Sequence, residues 1–314
     1  MKELIKIFAK WGTIKKRIRN PYWLFYYFIR VTGIGRIMPD KHYLKLQYKC
    51  FFNKSLDLKN SKTFNEKLQW LKLYNRITSH VKMVDKAAVK DYIASIIGKE
   101  YIIATLGVWN KFDDIRFDLL PNQFVLKCTH DSGSVIICKD KSNFDFKLAK
   151  EKINKSLSRN FYYPGREWIY KNIKPRIIAE KYMVDESNVE LKDYKIFCFN
   201  GSPKIIQVDF NRFSAHRRNL YSIKWELIPA ELCYPNDSKT IIEQPKSLEL
   251  MLDIARKLSS QIAFLRVDLY SIKETIYFGE LTFYPGSGYE KFIPDEWDDI
   301  MGSWLKLPKT VRML

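Results

Sequence analysis

A disulfide framework is the first thing this sequence lacks. Its five cysteines, Cys50, Cys128, Cys138, Cys198 and Cys233, are scattered, odd in number and free of any CxxC pair, which fits a reducing cytoplasm. Long apolar runs are missing as well. The most apolar stretch, Tyr22 to Ile29, is far shorter than the roughly 20 residues a bilayer span needs, and no small-residue cleavage site follows it. Neither GxxxxGK[ST] nor Asp-x-Asp occurs, which excludes a Walker phosphate loop and removes the usual metal motif of a glycosyltransferase. No helix-turn-helix, RRM or zinc module is visible, so nucleic acid is not an expected partner. Cys128, His130 and Cys138 match no finger spacing and lack a fourth ligand. Internal repeats, low-complexity linkers and long polar tails are also absent.

What is present is a folding chain with a strong positive bias. Of 314 residues, 46% are hydrophobic and 28% charged, which excludes disorder, and the length predicts two lobes. Lys and Arg outnumber Asp and Glu by 54 to 35, a net charge of +19 that attracts nucleotides, polyanions or an anionic membrane surface. Leu4, Phe8, Trp11, Ile14 and Ile18 at helical spacing, with seven Lys and Arg around them, predict a basic amphipathic extension over 1–38. Its apolar face, and the aromatic block after Pro21, would dock either on the chain's own core or at a membrane interface.

Beyond it, Thr63 and Glu66 form a capping box that starts a helix, and a second helix is expected over 84–96, stopped by Gly98. Strand-like runs follow at 101–109, 123–128, 135–138, 176–183, 194–199 and 204–208, with Asn200-Gly201 as a hairpin turn. Helices are expected over 146–157 and 248–259, and a final hairpin over 264–282. This mixture predicts an α+β fold with mainly antiparallel sheets, divided at 39–120, 121–184 and 185–314.

Two clusters carry possible chemistry. Lys127 precedes the polar loop Thr129-His130-Asp131-Ser132-Gly133-Ser134, whose amides and lysine suit phosphate oxygens, although an ordinary hairpin explains the same residues. In 264–282, Arg266 and Asp268 share one strand face, as do Glu280 and Thr282. Two inward carboxylates need a cation, for which magnesium is the natural candidate; a solvated face paired with Arg266 is the alternative. Between them, 177–183 could hold adenine under apolar cover or be a plain core strand. His216, beside Arg217 and Arg218, suits either an anionic substrate or a solvated basic loop.

In order and spacing, Lys86, Lys127, Glu180-Lys181-Tyr182-Met183, Asp193-Tyr194-Lys195, Arg266-x-Asp268 and Glu280-x-Thr282 followed by Pro285-Gly286-Ser287-Gly288 resemble the ATP-grasp ligases. More narrowly, Phe64 to Leu71, Phe124 to Lys127, Pro175 to Glu180 and Phe278 to Phe283 resemble the TupA-like ATP-grasp family. The resemblance implies ATP held between two sheets with Mg2+ at its phosphates, and a carboxylate activated as an acyl phosphate for attack by an amine. It implies a role in bacterial capsular or other cell-surface polysaccharide synthesis, joining an amine or amino acid to a uronic acid or other carboxylate-bearing sugar in the cytoplasm or on the inner membrane face. Position by position, it assigns Lys86 and Lys127 to phosphates under the Thr129–Ser134 loop. Glu180 and Met183 go to adenine, Asp185 or Glu186 to the ribose, and Lys181 and Lys195 to the nucleotide without a stated part. Asp268 and Glu280 become metal ligands, and Arg266, with Lys127, a catalytic cation. The usual third ligand, Asn, is here Thr282, a weaker donor. Arg212, His216, Arg217, Gly286, Ser287 and Gly288 fall to the substrate. A glycosyltransferase of the same pathways and a non-catalytic membrane adaptor are the rival readings.

Overall fold

Pro21 has no N–H to strand at a helix start, and it opens α1 (Pro21–Val31) in the computed structural model, which describes residues 21–185, 191–211 and 215–309. The basic stretch before Pro21, together with Glu186 and Arg212, lies outside the described residues. The chain divides between Ser61 and Lys62 into two compact units. In the first, Gly33 at φ 78° turns the chain after α1, and α2 (Asp40–Phe52) ends at Asn53 in the left-handed region. Tyr26, Ile29 and Tyr43 make a small core with Met38, Leu46, Cys50 and Phe51. Gln47 Nε2 donates to the Tyr26 hydroxyl at 2.9 Å, satisfying the polar end of this buried ring. The aromatic block is thus split. One stripe packs on the chain itself, while Tyr22, Phe25, Tyr27 and Phe28 remain 42 to 54% exposed.

The second unit begins with α3 (Phe64–Tyr74), and the expected capping box is present. Thr63 Oγ1 accepts from Glu66 N at 3.2 Å, and Glu66 Oε2 from Thr63 N at 3.3 Å. The single helix expected over 84–96 is instead two, α4 (Ser79–Val84) and α5 (Val89–Ile97). Asp85 separates them, because its carboxylate accepts from Ala87 N and Ala88 N at 2.9 and 2.8 Å and so competes with helix continuation. A 3-10 turn, Lys99–Tyr101, shortens the next expected strand to β1 (Thr105–Trp109).

Then follow β2 (Phe124–Cys128), β3 (Ile136–Cys138), α6 (Phe146–Leu157), the one-turn α7 (Tyr162–Gly165) and β4 (Ile177–Lys181). These four strands form an antiparallel sheet in the order β1-β4-β2-β3. Further on come β5 (Asp193–Phe199), β6 (Ser202–Phe210), β7 (Arg217–Ser222), β8 (Leu227–Ile228) and β9 (Glu231–Leu232). The unit closes with α8 (Leu248–Ser259), β10 (Phe264–Ile272), β11 (Thr275–Thr282), β12 (Phe292–Ile293) and α9 (Glu296–Trp304). Their main sheet runs β11-β10-β5-β6-β7-β8, with β9 and β12 paired apart. The polar run of β7 and the two-residue strands gave no periodicity to read, so these elements were not expected.

Each sheet packs a helix against one face. Phe124, Leu126 and Cys128 of β2 pack with Ala149 and Ile153 of α6, whereas Leu265, Val267 and Leu269 of β10 share a core with Met251, Leu252 and Ala255 of α8. Alternation along each strand therefore sends Lys127, and Arg266 with Asp268, to the opposite faces.

One buried histidine makes stability pH-dependent. His80 on α4 is 6% exposed, its ring centroid lies 4.6 Å from that of Phe283, and burial pulls its pKa from 6.5 down to about 4. Neutral in the fold, it gains a proton more readily when unfolded. Its contribution is therefore full above pH 6.5 and is lost as pH falls toward 4, amounting to about 3 kcal/mol. In urea titrations, His80→Phe should flatten the decline in stability between pH 6.5 and 4; an unchanged slope would remove His80 as its source.

Candidate active site

On the outer face of the first sheet, Lys127 of β2 lies diagonal to Glu180 of β4, because Val125 pairs with Glu180 and Lys127 with Ile178. Lys127 Nζ meets Glu180 Oε2 at 2.6 Å, and Lys90 Nζ from α5 meets Oε1 at 2.6 Å. Burial raises the Glu180 pKa, but the two ammonium groups outweigh it and leave the carboxyl below its ordinary value. Lys86, in the turn that Asp85 makes, donates from Nζ to the Asp131 carbonyl. One lysine is thereby tied to the 129–134 loop.

On the second sheet the two acidic residues face each other through a bulge. The turn at Lys273 and Glu274 pairs Tyr270 with Tyr277 and Leu269 with Phe278; continued without a break, that register would set Glu280 opposite Val267, on the apolar face. Gly279 is the extra residue, and it shifts Glu280 to lie opposite Asp268 instead. A Cβ at Gly279 would come within 2.9 Å of the Asp268 carbonyl, so the position needs glycine. Arg266 grips Asp268 in a bidentate pair, Nε to Oδ1 and NH2 to Oδ2 at 2.7 Å each, and NH2 also reaches Glu280 Oε1 at 3.2 Å and Thr282 Oγ1 at 3.1 Å. Burial lifts the Asp268 pKa to about 6 against the pull of Arg266 and Lys195. For Arg266 burial acts downward, but Asp268 and Glu280 raise its pKa.

Residues of both sheets line a cavity of about 450 Å³. Lys86, Lys90, Lys127, Lys139, Lys181 and Lys195 meet four carboxylates there, Glu180, Asp193, Asp268 and Glu280, so the cleft carries a positive excess suited to a polyphosphate. Ser132, Gly133 and Met183 also line it. A second cavity of about 280 Å³ adjoins it and takes in Asp131, Arg266, Thr282, Gly286 and Ser287.

Other sequence-assigned residues lie outside both cavities. His130 is buried with Nε2 at 3.1 Å from the Arg159 carbonyl, Thr129 is buried, and Ser134 Oγ donates to Asp131 Oδ1 at 2.6 Å; these three build the loop. Gly288 is buried too, and a Cβ there would press on Gln69 and Leu68. Asp185 is buried and accepts from Lys192 N at 3.3 Å. His216 stacks on Tyr234 with centroids 3.8 Å apart and lies 3.1 Å from Asp209 Oδ1; Arg217 begins β7. Asp209 also meets Arg218 and Lys195 at 2.7 and 3.2 Å. Burial would raise its pKa, yet His216, Arg218 and Lys195 hold it far below the carboxylate range.

Asp268 and Glu280 are the donors here that suit a hard cation. No cluster of three or more His, Cys, Asp or Glu that could hold a metal exists among the described residues. Two opposed carboxylates nevertheless fit magnesium, which takes one or two protein carboxylates and fills its octahedron with phosphate oxygens and water. Sequence reasoning missed Lys90 and Glu167, which also lines the second cavity. The signals were a lysine four residues after Lys86, and one carboxylate in the aromatic run 161–170.

A family model described as TupA-like ATPgrasp matches residues 66–306. Among curated proteins none matches. Similar solved structures include D-alanine-D-alanine ligase from Helicobacter pylori, at 16% identity over 72% of this chain and 63% of that one, with TM-score 0.38. The corresponding ligase from Bacillus anthracis, complexed with ATP, is 19% identical over 66% of this chain and 56% of its own, with TM-score 0.37. A RimK domain ATP-grasp protein from Sphaerobacter thermophilus is 11% identical over 74% of this chain and 70% of its own, with TM-score 0.39. The chain spans less than two thirds of the length of the two D-alanine-D-alanine ligases.

Proposed function

Because the chain belongs to the TupA-like ATP-grasp family, we propose that it is an ATP-dependent carboxylate-amine ligase working through an acyl phosphate. The observation that carries this reading is the lysine-lined cleft between two antiparallel sheets, with Asp268 and Glu280 opposed on one wall. Lys86, Lys127 and Lys195 would take the phosphates, the 177–183 strand the adenine, and the two carboxylates Mg2+, which when bound would neutralise phosphate charge. The substrates we infer are a uronic acid or other carboxylate-bearing sugar and an amine or amino acid of cell-surface polysaccharide synthesis. The lobes of the ligase would be 121–184 and 185–314.

Calorimetry with Mg-ATP tests the reading, with UDP-glucose as the control for a glycosyltransferase. Lys127→Met should weaken Mg-ATP binding about 10- to 100-fold, since a charge-assisted hydrogen bond contributes about 1.5 to 3 kcal/mol. Equal affinity would take Lys127 out of the site.

A second proposal concerns location. No helix among the described residues is long and apolar enough to cross a membrane. The exposed aromatics of α1 share their unit with the exposed cations Arg36, Lys41 and Lys45, and Lys49 Nζ lies 5.8 Å from the Tyr22 ring centroid, a combination suited to the surface of an anionic bilayer. Phe25→Ser with Phe28→Ser should lower co-sedimentation with phosphatidylserine vesicles at least tenfold, and added salt should do likewise. Undiminished sedimentation would assign those rings to another role.

A further inference from the structure

Glu167 sits between α7 and the 3-10 turn Trp168–Tyr170, only 7% exposed, and lines the 280 Å³ cavity. That cavity meets the larger cleft at Lys86, Ser132, Gly279 and Glu280, so Glu167 looks toward the place where a phosphoryl group would be transferred. Lys72 of α3 is the cation that acts on it, yet the Lys72 ammonium spends its donors on neutral oxygens. These are Gln69 Oε1 at 3.0 Å, the carbonyls of Gly165 and Ser287 at 2.8 and 2.7 Å, and Ser287 Oγ at 2.9 Å. Ser287 supplies a hydrogen bond to Glu167. A Cβ at Gly165 would press on both Ser287 Oγ and Glu167 Oε1, so glycine there keeps the two in contact. The result is a buried carboxylate, positioned by its neighbours and neutralised only through space, facing a cavity. Such a group is costly unless a cation joins it.

We propose that Glu167 receives the incoming amine: it binds a protonated primary amine in this cavity and takes one proton from it before attack. The proposal rests on the ligase reading. The ammonium gives one proton to the Glu167 carboxylate, and the nitrogen lone pair forms the C–N bond at the acyl-phosphate carbonyl. The carbonyl's bond to the phosphate oxygen breaks, phosphate departs with a second nitrogen proton, and Glu167 returns its own to water as product leaves. Arg266 lines the same cavity, and Met83, Phe161, Tyr170 and Tyr284 of its wall suit the body of the amine. The charged and titratable groups that act on Glu167 or share its cavity are Lys72, Tyr170, Tyr284, Lys86, Asp131, Arg266 and Glu280. Burial raises the Glu167 pKa against the pull of Lys72, in the direction a proton acceptor needs.

The test uses n-propylammonium as the probe, titrated into the full chain saturated with Mg-AMPPNP and followed by saturation-transfer NMR. Binding should be saturable in the wild type, at least tenfold weaker in Glu167→Gln, and absent for the uncharged isostere 1-propanol. Equal binding in both proteins, or propanol binding as well as propylammonium, overturns the proposal. If the variant fails to bind Mg-AMPPNP and so is misfolded, the contrast between propylammonium and propanol in the wild type decides alone. Failure of the wild type to bind Mg-AMPPNP would instead defeat the ligase reading, which keeps the two failures apart.

Discussion

Glu280→Gln should reduce ATP turnover about a thousandfold while leaving thermal stability unchanged, whereas Asp268→Asn should damage both. The difference lies in burial. The Glu280 side chain is 42% exposed and meets Arg266 by a single contact at 3.2 Å, so losing its charge would deprive the proposed cation site of a ligand and cost the fold little else. Asp268 is 4% exposed and holds both of its oxygens against Arg266. Taking its charge away strips the buried guanidinium of its bidentate partner and leaves it the single contact with Glu280, and breaking a buried pair in this way typically costs about 3 to 5 kcal/mol. Loss of a group that stabilises developing charge accounts for about two to three orders of magnitude in rate. Turnover measured as phosphate release, beside melting temperatures, checks both halves. If Glu280→Gln keeps wild-type turnover across a magnesium titration, the β10-β11 pair is structural.

How much of this could be read from the chain depends on whether a residue's setting is local or tertiary. Thr63 and Glu66 announced α3 because a capping box is closed within four residues. Lys127 could be assigned to the open face of β2, since Phe124, Leu126 and Cys128 alternate with it. Asp268 and Glu280 were legible as a pair only by assuming that the hairpin closed in the right phase. The Lys273-Glu274 turn alone sets the other phase, and the Gly279 bulge corrects it. Nothing in the pattern of Phe278-Gly279-Glu280 distinguishes a bulge from a regular strand, because the deciding contact is with the Asp268 carbonyl across the hairpin. Lys86 was misplaced on a helix for a similar reason: Asp85 reads as a helical acid until its carboxylate is seen to cap Ala87 and Ala88. Glu167, a lone carboxylate in an aromatic run, and Lys72 could not be brought together from the sequence, since their burial is created by α3, α7 and the 284–288 turn meeting from distant parts of the chain.

Arg266→Lys is expected to lower turnover about a hundredfold or more while Mg-ATP affinity changes by less than about threefold. The guanidinium is committed in a fork to Asp268, and its NH1 takes part in none of the bonds to Asp268, Glu280 or Thr282, so it is the end free to meet charge that develops in the adjoining cavity. A lysine keeps the charge but cannot hold Asp268 bidentately and still present a second donor. Since that charge develops in the reaction and not in nucleotide binding, the loss should fall on the rate. On the proposed ligase reaction, transfer of the terminal phosphoryl group to a carboxylate would develop negative charge near the join of the two cavities, which Lys127 and Arg266 line in turn, so ADP should form first and phosphate should leave only when the amine has attacked. With the carboxylate substrate labelled by oxygen-18, one label atom should therefore emerge in inorganic phosphate. Label found in AMP would mean adenylation, in which the nucleotide's α-phosphorus is attacked, and Arg266 would then be serving a different transition state from the one its position beside Asp268 and Glu280 supports.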